Sequence, residues 1–133
     1  MIHVLDACAM LAYLRNEPGA DVVESALLDT NSQCVAHAIN LCEVYYIIHR
    51  DSGESDADSA IAGLKNIGVV ERDDLDEAFW KEVGRLKAGG GIAIPDCFAI
   101  TLSNSVGGTV LTSDHKEFDP VAAAGVCSIT FIR

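Results

Sequence analysis

Short apolar strands alternate with amphipathic helices along the chain. The β-branched run Ile2 to Leu5 predicts the first strand. The same kind of pattern predicts strands at residues 33–36, 67–70, 109–112 and 127–132, and helices at 7–14, 21–28, 37–49, 55–65 and 95–103. A further helix, with Asp73 or Asp74 as its predicted N-cap, runs to Lys87 before the triple glycine at 89–91. The pair Asp119-Pro120 predicts a turn.

This alternation predicts an α/β fold with three layers, in which a central, mostly parallel sheet of about five strands is flanked by helices. The 133 residues suit one domain spanning 1–133, because a chain of this length buries about two thirds of the surface that its unfolded form exposes. In such folds, binding sites lie beyond the carboxyl ends of the strands. Asp6 directly follows the first strand and Asp114 follows the fourth, so we expect both at the same rim of the sheet.

Single acidic residues interrupt segments that are otherwise apolar. Asp6 lies in VLDACAML, Glu43 in INLCEVYYII and Asp96 in IAIPDCFAI. The three aspartates, including Asp114, also fit an ordinary N-cap or first-turn position, which stabilises a helix by about 1 kcal/mol. Glu43 has no such explanation, because it lies in the middle of a predicted helix with apolar neighbours on nearly every side.

These four carboxylates need a counter-charge if they share one site. Burial of an unpaired carboxylate is costly or forces it to keep its proton, and neighbouring acids raise the pKa of one another. Lys and Arg are sparse beside all four positions, so oxygen ligands alone predict a hard divalent cation, Mg²⁺ or Mn²⁺. Such a cation orients phosphates and activates water, which is the chemistry of phosphodiester hydrolysis. The predicted catalytic and metal-binding residues are therefore Asp6, Glu43, Asp96 and Asp114.

The overall charge opposes extensive contact with nucleic acid. The chain carries 9 Lys and Arg against 20 Asp and Glu, a formal net charge of −11, whereas proteins that bind nucleic acid through its phosphates are usually basic. Bound cations would answer part of this objection by turning an acidic cleft into a phosphate-binding one. Lys81, Arg85 and Lys87 are the best local candidates for RNA contacts, and they equally fit the helix dipole as cations near a helix C-terminus.

The cysteines and the N-terminal sequence indicate a reducing compartment. The five cysteines are odd in number, scattered and without a CxxC pair, which favours free thiols over disulfides or a zinc site. The N-terminus lacks the basic and long apolar regions of a signal peptide, and no segment has the roughly 20 apolar residues of a membrane span. We therefore expect a cytoplasmic protein with no membrane association.

Four segments, spread over essentially the whole chain, carry the acids: HVLDACAML, AINLCEVYY, IPDCFAI and LTSD, the last followed by Phe118. Together they resemble the PIN-domain family, and within it the VapC-like toxin ribonucleases of type II toxin–antitoxin pairs. The resemblance implies a PIN-like fold and an Mg²⁺- or Mn²⁺-dependent endoribonuclease that cleaves RNA. It also implies a homodimer that is kept silent by a cognate antitoxin protein, whose tail covers the active-site groove.

Position 8 departs from the pattern of that family. Many relatives have Ser or Thr two residues after the first Asp, whereas this chain has Cys8, whose thiol is a weak hydrogen-bond donor. Thr112 and Ser113 are predicted secondary residues of the site, which either hydrogen-bond a metal-bound water or cap the turn at Asp114. The alternative function is a catalytically weak or inactive PIN-like module that binds a protein partner.

Overall fold

Five strands and seven helices make up the computed structural model, which describes residues 1–133. The strands are β1 (Ile2–Leu5), β2 (Gln33–His37), β3 (Val69–Arg72), β4 (Thr109–Thr112) and β5 (Ile129–Phe131). The helices are α1 (Ala7–Leu14), α2 (Ala20–Leu28), α3 (Ala38–Ser52), α4 (Glu54–Asn66), α5 (Glu77–Ala88), α6 (Ile94–Val106) and α7 (His115–Ala123). None of these helices combines the length and the apolar character needed to cross a bilayer.

All strand pairs are parallel, in the order β3-β2-β1-β4-β5. The chain therefore starts at the centre of the sheet, builds outward through β2 and β3, and then returns to the other side of β1 to add β4 and β5. The direction of winding changes between β1 and β4. In open parallel sheets, this switch point leaves a crevice beyond the carboxyl ends of the two strands.

Alternate residues of the central strands pack on opposite faces of the sheet. Leu5 and Leu111 belong to a core that includes apolar residues of α1 to α4, whereas Val4 and Val110 belong to a second core with residues of α5, α6 and α7. This period of two is the pattern of a sheet that is covered on both faces. The predicted α/β fold, with three layers and a parallel sheet of five strands, is confirmed.

The segment between β3 and α5 differs from its prediction. The strand lies at Val69–Arg72 and not at residues 67–70, since Gly68 has a φ of +115°, outside the extended region. The helix begins at Glu77, and Asp76 is its N-cap in place of Asp73 or Asp74. Arg72 accounts for part of this difference, because it binds Asp74 through two hydrogen bonds of 2.9 and 3.0 Å before the helix starts.

Replacement of Asp76 by Ala is expected to lower the free energy of unfolding by about 1 kcal/mol. Oδ1 of Asp76 accepts a hydrogen bond from the Phe79 N–H at 2.9 Å, and alanine leaves that donor unpaired at the start of α5. Urea unfolding followed by circular dichroism measures the change. Asp73→Ala is the matched control and should leave the midpoint unchanged. Equal losses in the two variants would contradict the assignment of the cap.

Helix α7 replaces the turn predicted at Asp119-Pro120. The proline lies inside the helix, where it removes one backbone hydrogen bond and normally disfavours helix. Phe118 and Val121 are buried on the inner side of α7, at 0% and 3% exposure. Tertiary packing of these two side chains outweighs the local effect of proline, as it commonly does for short helices.

Candidate active site

Two of the acids follow neighbouring strands at the switch point of the sheet. Asp6 comes directly after β1, and Asp114 comes two residues after β4. The strands are in register, with Leu5 opposite Leu111, and the Asp6 N–H donates to the Leu111 carbonyl at 3.3 Å. Both acids therefore leave the sheet at the same rim, as expected from a parallel arrangement.

Asp6 is almost completely buried and caps the helix that follows it. The residue is 1% exposed. Its Oδ1 accepts a hydrogen bond from the Ala9 N–H at 2.8 Å, whereas Oδ2 has no hydrogen-bond partner. Burial raises the pKa of Asp6 to about 7, against smaller opposing effects of Thr112 and the Ala9 N–H. A buried, unpaired carboxylate oxygen is costly, and a cation that prefers oxygen would satisfy it.

Glu43 lies one turn into α3, at the boundary between the core and solvent. Helix α3 buries Leu41 and Val44 on one side, whereas Cys42 is exposed and Tyr46 is 52% exposed on the other. The expectation of apolar neighbours on nearly every side of Glu43 is therefore wrong, because part of the apolar run in α3 faces solvent. The Glu43 carboxyl is half-buried, and burial, followed by repulsion from Asp114, raises its pKa.

Asp96 lies in the first turn of α6, after Ile94 and Pro95 at the first two helical positions. A helix N-terminus favours a negative charge, yet the pKa of Asp96 is raised to about 8. Burial is the main cause, and repulsion from Asp6 is the next. Desolvation and neighbouring acids thus outweigh the helix dipole at this position.

Asp114 is the N-cap of α7, and its Oδ1 accepts from the Glu117 N–H at 3.0 Å. Its own N–H donates to the Thr112 hydroxyl at 3.0 Å. That hydroxyl also stabilises the ionised form of Asp6, but it lies outside good hydrogen-bonding geometry, so Oδ2 of Asp6 stays unpaired. Thr112 is fully buried between the two acids, whereas the neighbouring Ser113 is half-buried and forms no side-chain hydrogen bond.

The four predicted acids act on one another electrostatically. The pKa of Asp96 is raised by each of the other three, and that of Asp6 by Asp114 and Glu43. The structure thus brings together acids that are far apart in the chain. In this arrangement no three acidic, histidine or cysteine side chains lie close enough together to enclose a metal ion. The donor set is oxygen-rich and suits a hard cation, but complete coordination requires the carboxylates to approach one another.

Cys8 lies among these acids and not at the surface. The thiol is half-buried, and burial raises its pKa to about 12, with further contributions from all four carboxylates. A thiol with this pKa is almost entirely protonated at neutral pH, so Cys8 is neither an activated nucleophile nor a thiolate ligand.

Cys8 is expected to resist alkylation under conditions that modify the exposed Cys42. At pH 8 a pKa of about 12 leaves only about one Cys8 thiol in ten thousand ionised, and the thiolate is the reactive form. Iodoacetamide treatment of the native protein, followed by peptide mass spectrometry, gives the rate at each cysteine. The same treatment in denaturant should modify Cys8 and Cys42 at similar rates. Rapid native modification of Cys8 would contradict the surroundings described for it.

The three basic residues predicted to contact RNA each have a partner within the protein. Lys81 forms an ion pair with Glu77 at 2.8 Å, and Arg85 donates from Nε to Glu82 at 2.9 Å. Lys87 donates to the Ile92 carbonyl at 3.0 Å, beside the segment that leads to Asp96. Two of the three charges are therefore locally neutralised by acids of α5.

Glu117 and Asn40 lie next to the predicted acids and were not predicted. Glu117 raises the pKa of Asp96, and its Oε2 accepts from the Ala93 N–H at 3.1 Å. Asn40 is completely buried and donates to the Pro95 carbonyl at 3.1 Å. A sequence signal existed for Glu117, since an N-cap followed three residues later by Glu is a capping box. In that motif the Glu binds the N-cap N–H, but here the Thr112 hydroxyl takes that donor and leaves Glu117 free for Ala93.

The four acids lie outside the surface cavities of the protein. The largest cavity, about 550 Å³, lies between α5 and α6, with Asp76, Phe79 and Thr101 in its lining. None of the four surface cavities is lined by any of the four acids.

Comparison with solved structures shows where this fold recurs. VapBC-1 from nontypeable Haemophilus influenzae aligns with a TM-score of 0.75 and 19% identity, over 99% of this chain and 98% of that chain. VapBC2 from Rickettsia felis, bound to a promoter DNA fragment, gives a TM-score of 0.75 and 17% identity over 98% of both chains. The Mycobacterium tuberculosis toxin VapC20, which cleaves the sarcin-ricin loop, gives a TM-score of 0.70 and 12% identity, over 94% of this chain and 95% of that chain.

Sequence comparison gives a more specific result. No curated protein matches the chain in sequence. A sequence model of the PIN domain, however, matches residues 3–124. This region contains all four acids and extends from β1 to the end of α7, and the fold is shared with VapC-type proteins. The chain therefore belongs to the PIN domain family.

Proposed function

We propose that this protein is a metal-dependent endoribonuclease that hydrolyses RNA phosphodiester bonds and serves as the toxin of a toxin–antitoxin pair. The observation that carries the proposal is the buried Asp6, whose Oδ2 has no partner and whose carboxylate interacts electrostatically with Glu43, Asp96 and Asp114. Four carboxylates without a basic partner form an arrangement that is costly unless a cation shares it. Membership of the PIN domain family supports the same activity.

The proposed ligands of the cation are Asp6, Glu43, Asp96 and Asp114, bound directly or through water. Their oxygen atoms favour Mg²⁺ or Mn²⁺. When bound, such a cation polarises a phosphate and lowers the pKa of a water molecule. Oδ1 of Asp6 is held by the Ala9 N–H and Oδ2 is free, so Asp6 has one oxygen that fixes its orientation and one that is available as a ligand.

Water is the proposed nucleophile, and no covalent intermediate is formed. The Cys8 thiol is the nucleophilic side chain of the site, but its pKa of about 12 keeps it protonated. Thr112 has a different role in this scheme. By accepting from the Asp114 N–H, its hydroxyl fixes the turn that directs Asp114 toward Asp6.

The proposed partners are an RNA substrate, a cognate antitoxin protein and a second copy of the chain. Support for the antitoxin comes from the related folds, which were solved as VapBC toxin–antitoxin complexes from Haemophilus influenzae and Rickettsia felis. VapC20 supports a structured RNA loop as one class of substrate. The homodimer, the cytoplasmic location and the organisation of residues 1–133 as one domain stay predictions.

Purified protein, free of any antitoxin, is expected to cleave a mixed cellular RNA pool with Mg²⁺ or Mn²⁺ and not with EDTA. Gel electrophoresis and sequencing of the fragment ends measure the cleavage and locate it. Addition of excess Mn²⁺ after EDTA should restore it, which separates metal removal from unfolding. Equal cleavage with and without EDTA would indicate a contaminating nuclease or a metal-free reaction, and would contradict the proposal.

A catalytically weak protein-binding module is the second candidate. The observation that favours it is the spacing of the acids, no three of which lie close enough to enclose one ion. This candidate predicts a folded protein that shows no cleavage with either metal but forms a stable complex with a basic protein. Calorimetric titration with Mn²⁺ separates the two candidates, because only the nuclease requires binding at the four acids.

A further inference from the structure

The first turn of α6 carries Asp96 but has no capping side chain of its own. Ala93 is the N-cap residue, and Pro95 at the second helical position has no N–H to donate. The preceding loop contains Gly90 and Gly91, both with a φ above +80°, so it has unusual backbone freedom. Neither the loop nor the helix sequence by itself fixes where Asp96 is directed.

Two side chains from neighbouring elements bind the backbone of this turn. Glu117 of α7 accepts from the Ala93 N–H at 3.1 Å, and Asn40 of α3 donates from Nδ2 to the Pro95 carbonyl at 3.1 Å. The two bonds lie just before Asp96 and approach from different helices. The first bond satisfies a backbone donor that the helix itself cannot pair, because the N–H groups at the start of a helix have no intrahelical acceptor. The second bond attaches the side chain of Asn40 to a carbonyl in the first turn of α6.

Each of these side chains is close in sequence to another of the predicted acids. Glu117 lies three residues after Asp114, and its N–H is the donor that Asp114 caps. Asn40 lies three residues before Glu43, about one turn away in the same helix. Each bond therefore connects the Asp96 turn to an element that carries another acid.

We propose that Glu117 and Asn40 are positioning residues, which hold the first turn of α6 and so keep Asp96 beside the other three acids of the site. The inference rests on the proposed function, because it specifies how that site is assembled. Neither side chain is proposed as a ligand. Glu117 acts through the Ala93 N–H, and Asn40 acts through the Pro95 carbonyl.

The competing role for Glu117 is a direct one, in which its charge contributes to the site. Repulsion from Glu117 does raise the pKa of Asp96. Glutamine separates the two roles, because its amide oxygen still accepts from the Ala93 N–H although the negative charge is gone. A positioning role predicts that Glu117→Gln behaves like wild type and that Glu117→Ala does not.

Hydrogen exchange of the Ala93 amide, followed by NMR, tests the contact without any metal. Exchange in Glu117→Ala should be at least about tenfold faster than in wild type, whereas Glu117→Gln should retain protection. Thr101→Val is the matched control, since it removes a buried hydrogen bond of 2.8 Å to the Cys97 carbonyl in the middle of the same helix. It should leave exchange at Ala93 unchanged. Wild-type protection in Glu117→Ala would overturn the proposal.

Calorimetric titration with Mn²⁺ tests the consequence for the site. Glu117→Ala and Asn40→Ala should each weaken Mn²⁺ binding by roughly 10- to 100-fold, the usual effect of losing a residue that orients a ligand. The double variant should weaken Mn²⁺ binding by less than the product of the two single-variant factors, because both hydrogen bonds hold the same turn. Glu117→Gln and Thr101→Val should bind like wild type, and urea midpoints for all variants exclude general unfolding.

The two readouts separate failure of this inference from failure of the proposed function. If Glu117→Gln weakened Mn²⁺ binding as much as Glu117→Ala, the role of Glu117 would be assigned to its charge and the positioning role would be overturned. Wild-type affinity in both alanine variants would also overturn it. A wild-type protein that neither binds Mn²⁺ nor cleaves RNA would overturn the proposed function, and faster exchange at Ala93 in Glu117→Ala would then still uphold the contact that fixes the turn.

Discussion

Replacement of Asp96 by Asn is expected to reduce RNA cleavage by more than about 100-fold, which is the upper range for residues that act one step removed from a metal. Asn keeps the size of the side chain but lacks the charge that a hard cation requires. The fold should survive, because Asp96 forms no hydrogen bond on which α6 depends and its ionised form is disfavoured by burial. Initial cleavage rates at saturating Mn²⁺, together with circular dichroism, measure both effects.

Asp21→Asn is the matched control for this variant. Asp21 also lies in the first turn of a helix, but it is exposed on α2 and is not among the charges that raise the pKa of Asp96. The Asp21→Asn variant measures the effect of removing a charge from the first turn of a helix. The interaction of such a charge with the helix dipole contributes about 1 kcal/mol or less. Cleavage by Asp96→Asn at the wild-type rate would refute the assignment of Asp96 to the site.

Metal-free protein is expected to lose stability as the pH rises from about 4 to about 8. The pKa of Asp6 is raised from 3.8 to about 7, and that of Asp96 to about 8. The folded protein therefore binds more protons than the unfolded chain between these limits. The favourable contribution is fully present below the unfolded pKa and is lost as the pH passes through the folded pKa. For the buried Asp6 the loss is on the order of 4 kcal/mol.

Urea unfolding across this pH range, with and without Mn²⁺, measures the effect. Asp6→Asn should flatten the pH dependence, because its amide does not titrate and its oxygen can still accept from the Ala9 N–H. The difference between wild type and this variant removes the contribution of ion-paired acids such as Asp51 and Asp74, whose pKa values are lowered and whose effect has the opposite sign. Saturating Mn²⁺ should restore stability most at high pH, where the carboxylates are ionised. An equal pH dependence in both proteins would show that Asp6 titrates normally.

The fold was predictable from sequence where local pattern and tertiary packing agree. Ile2 to Leu5 is β-branched, short and followed by an acid that caps the next helix, so the strand, the helix and Asp6 all follow from one stretch. Helix α7 was not predictable in this way, since Pro120 contradicts the helix locally and the burial of Phe118 that stabilises it depends on the rest of the fold.

The same division applies to the candidate site. The four acids could be found because each is a charge in an unusual local setting or directly follows a strand. The contacts of Glu117 and Asn40 could not be predicted in this way. The capping-box spacing of Glu117 predicts a bond to the Asp114 N–H, but the two side chains bind Ala93 and Pro95, which are 24 and 55 residues away in the chain. A polar residue on a helix indicates nothing about a remote backbone group that it will bind.

The central position of β1 in the sheet determines when the rim can form. Asp6 directly follows β1, but β4, the neighbour of β1 in the sheet, begins about 100 residues later in the chain, at Thr109. Contacts between such distant segments carry the largest loop-closure entropy and are made late in folding. An incomplete nascent chain therefore lacks the paired strand ends that bring the acids together. The order of the strands therefore delays assembly of the rim until β4 has been synthesised.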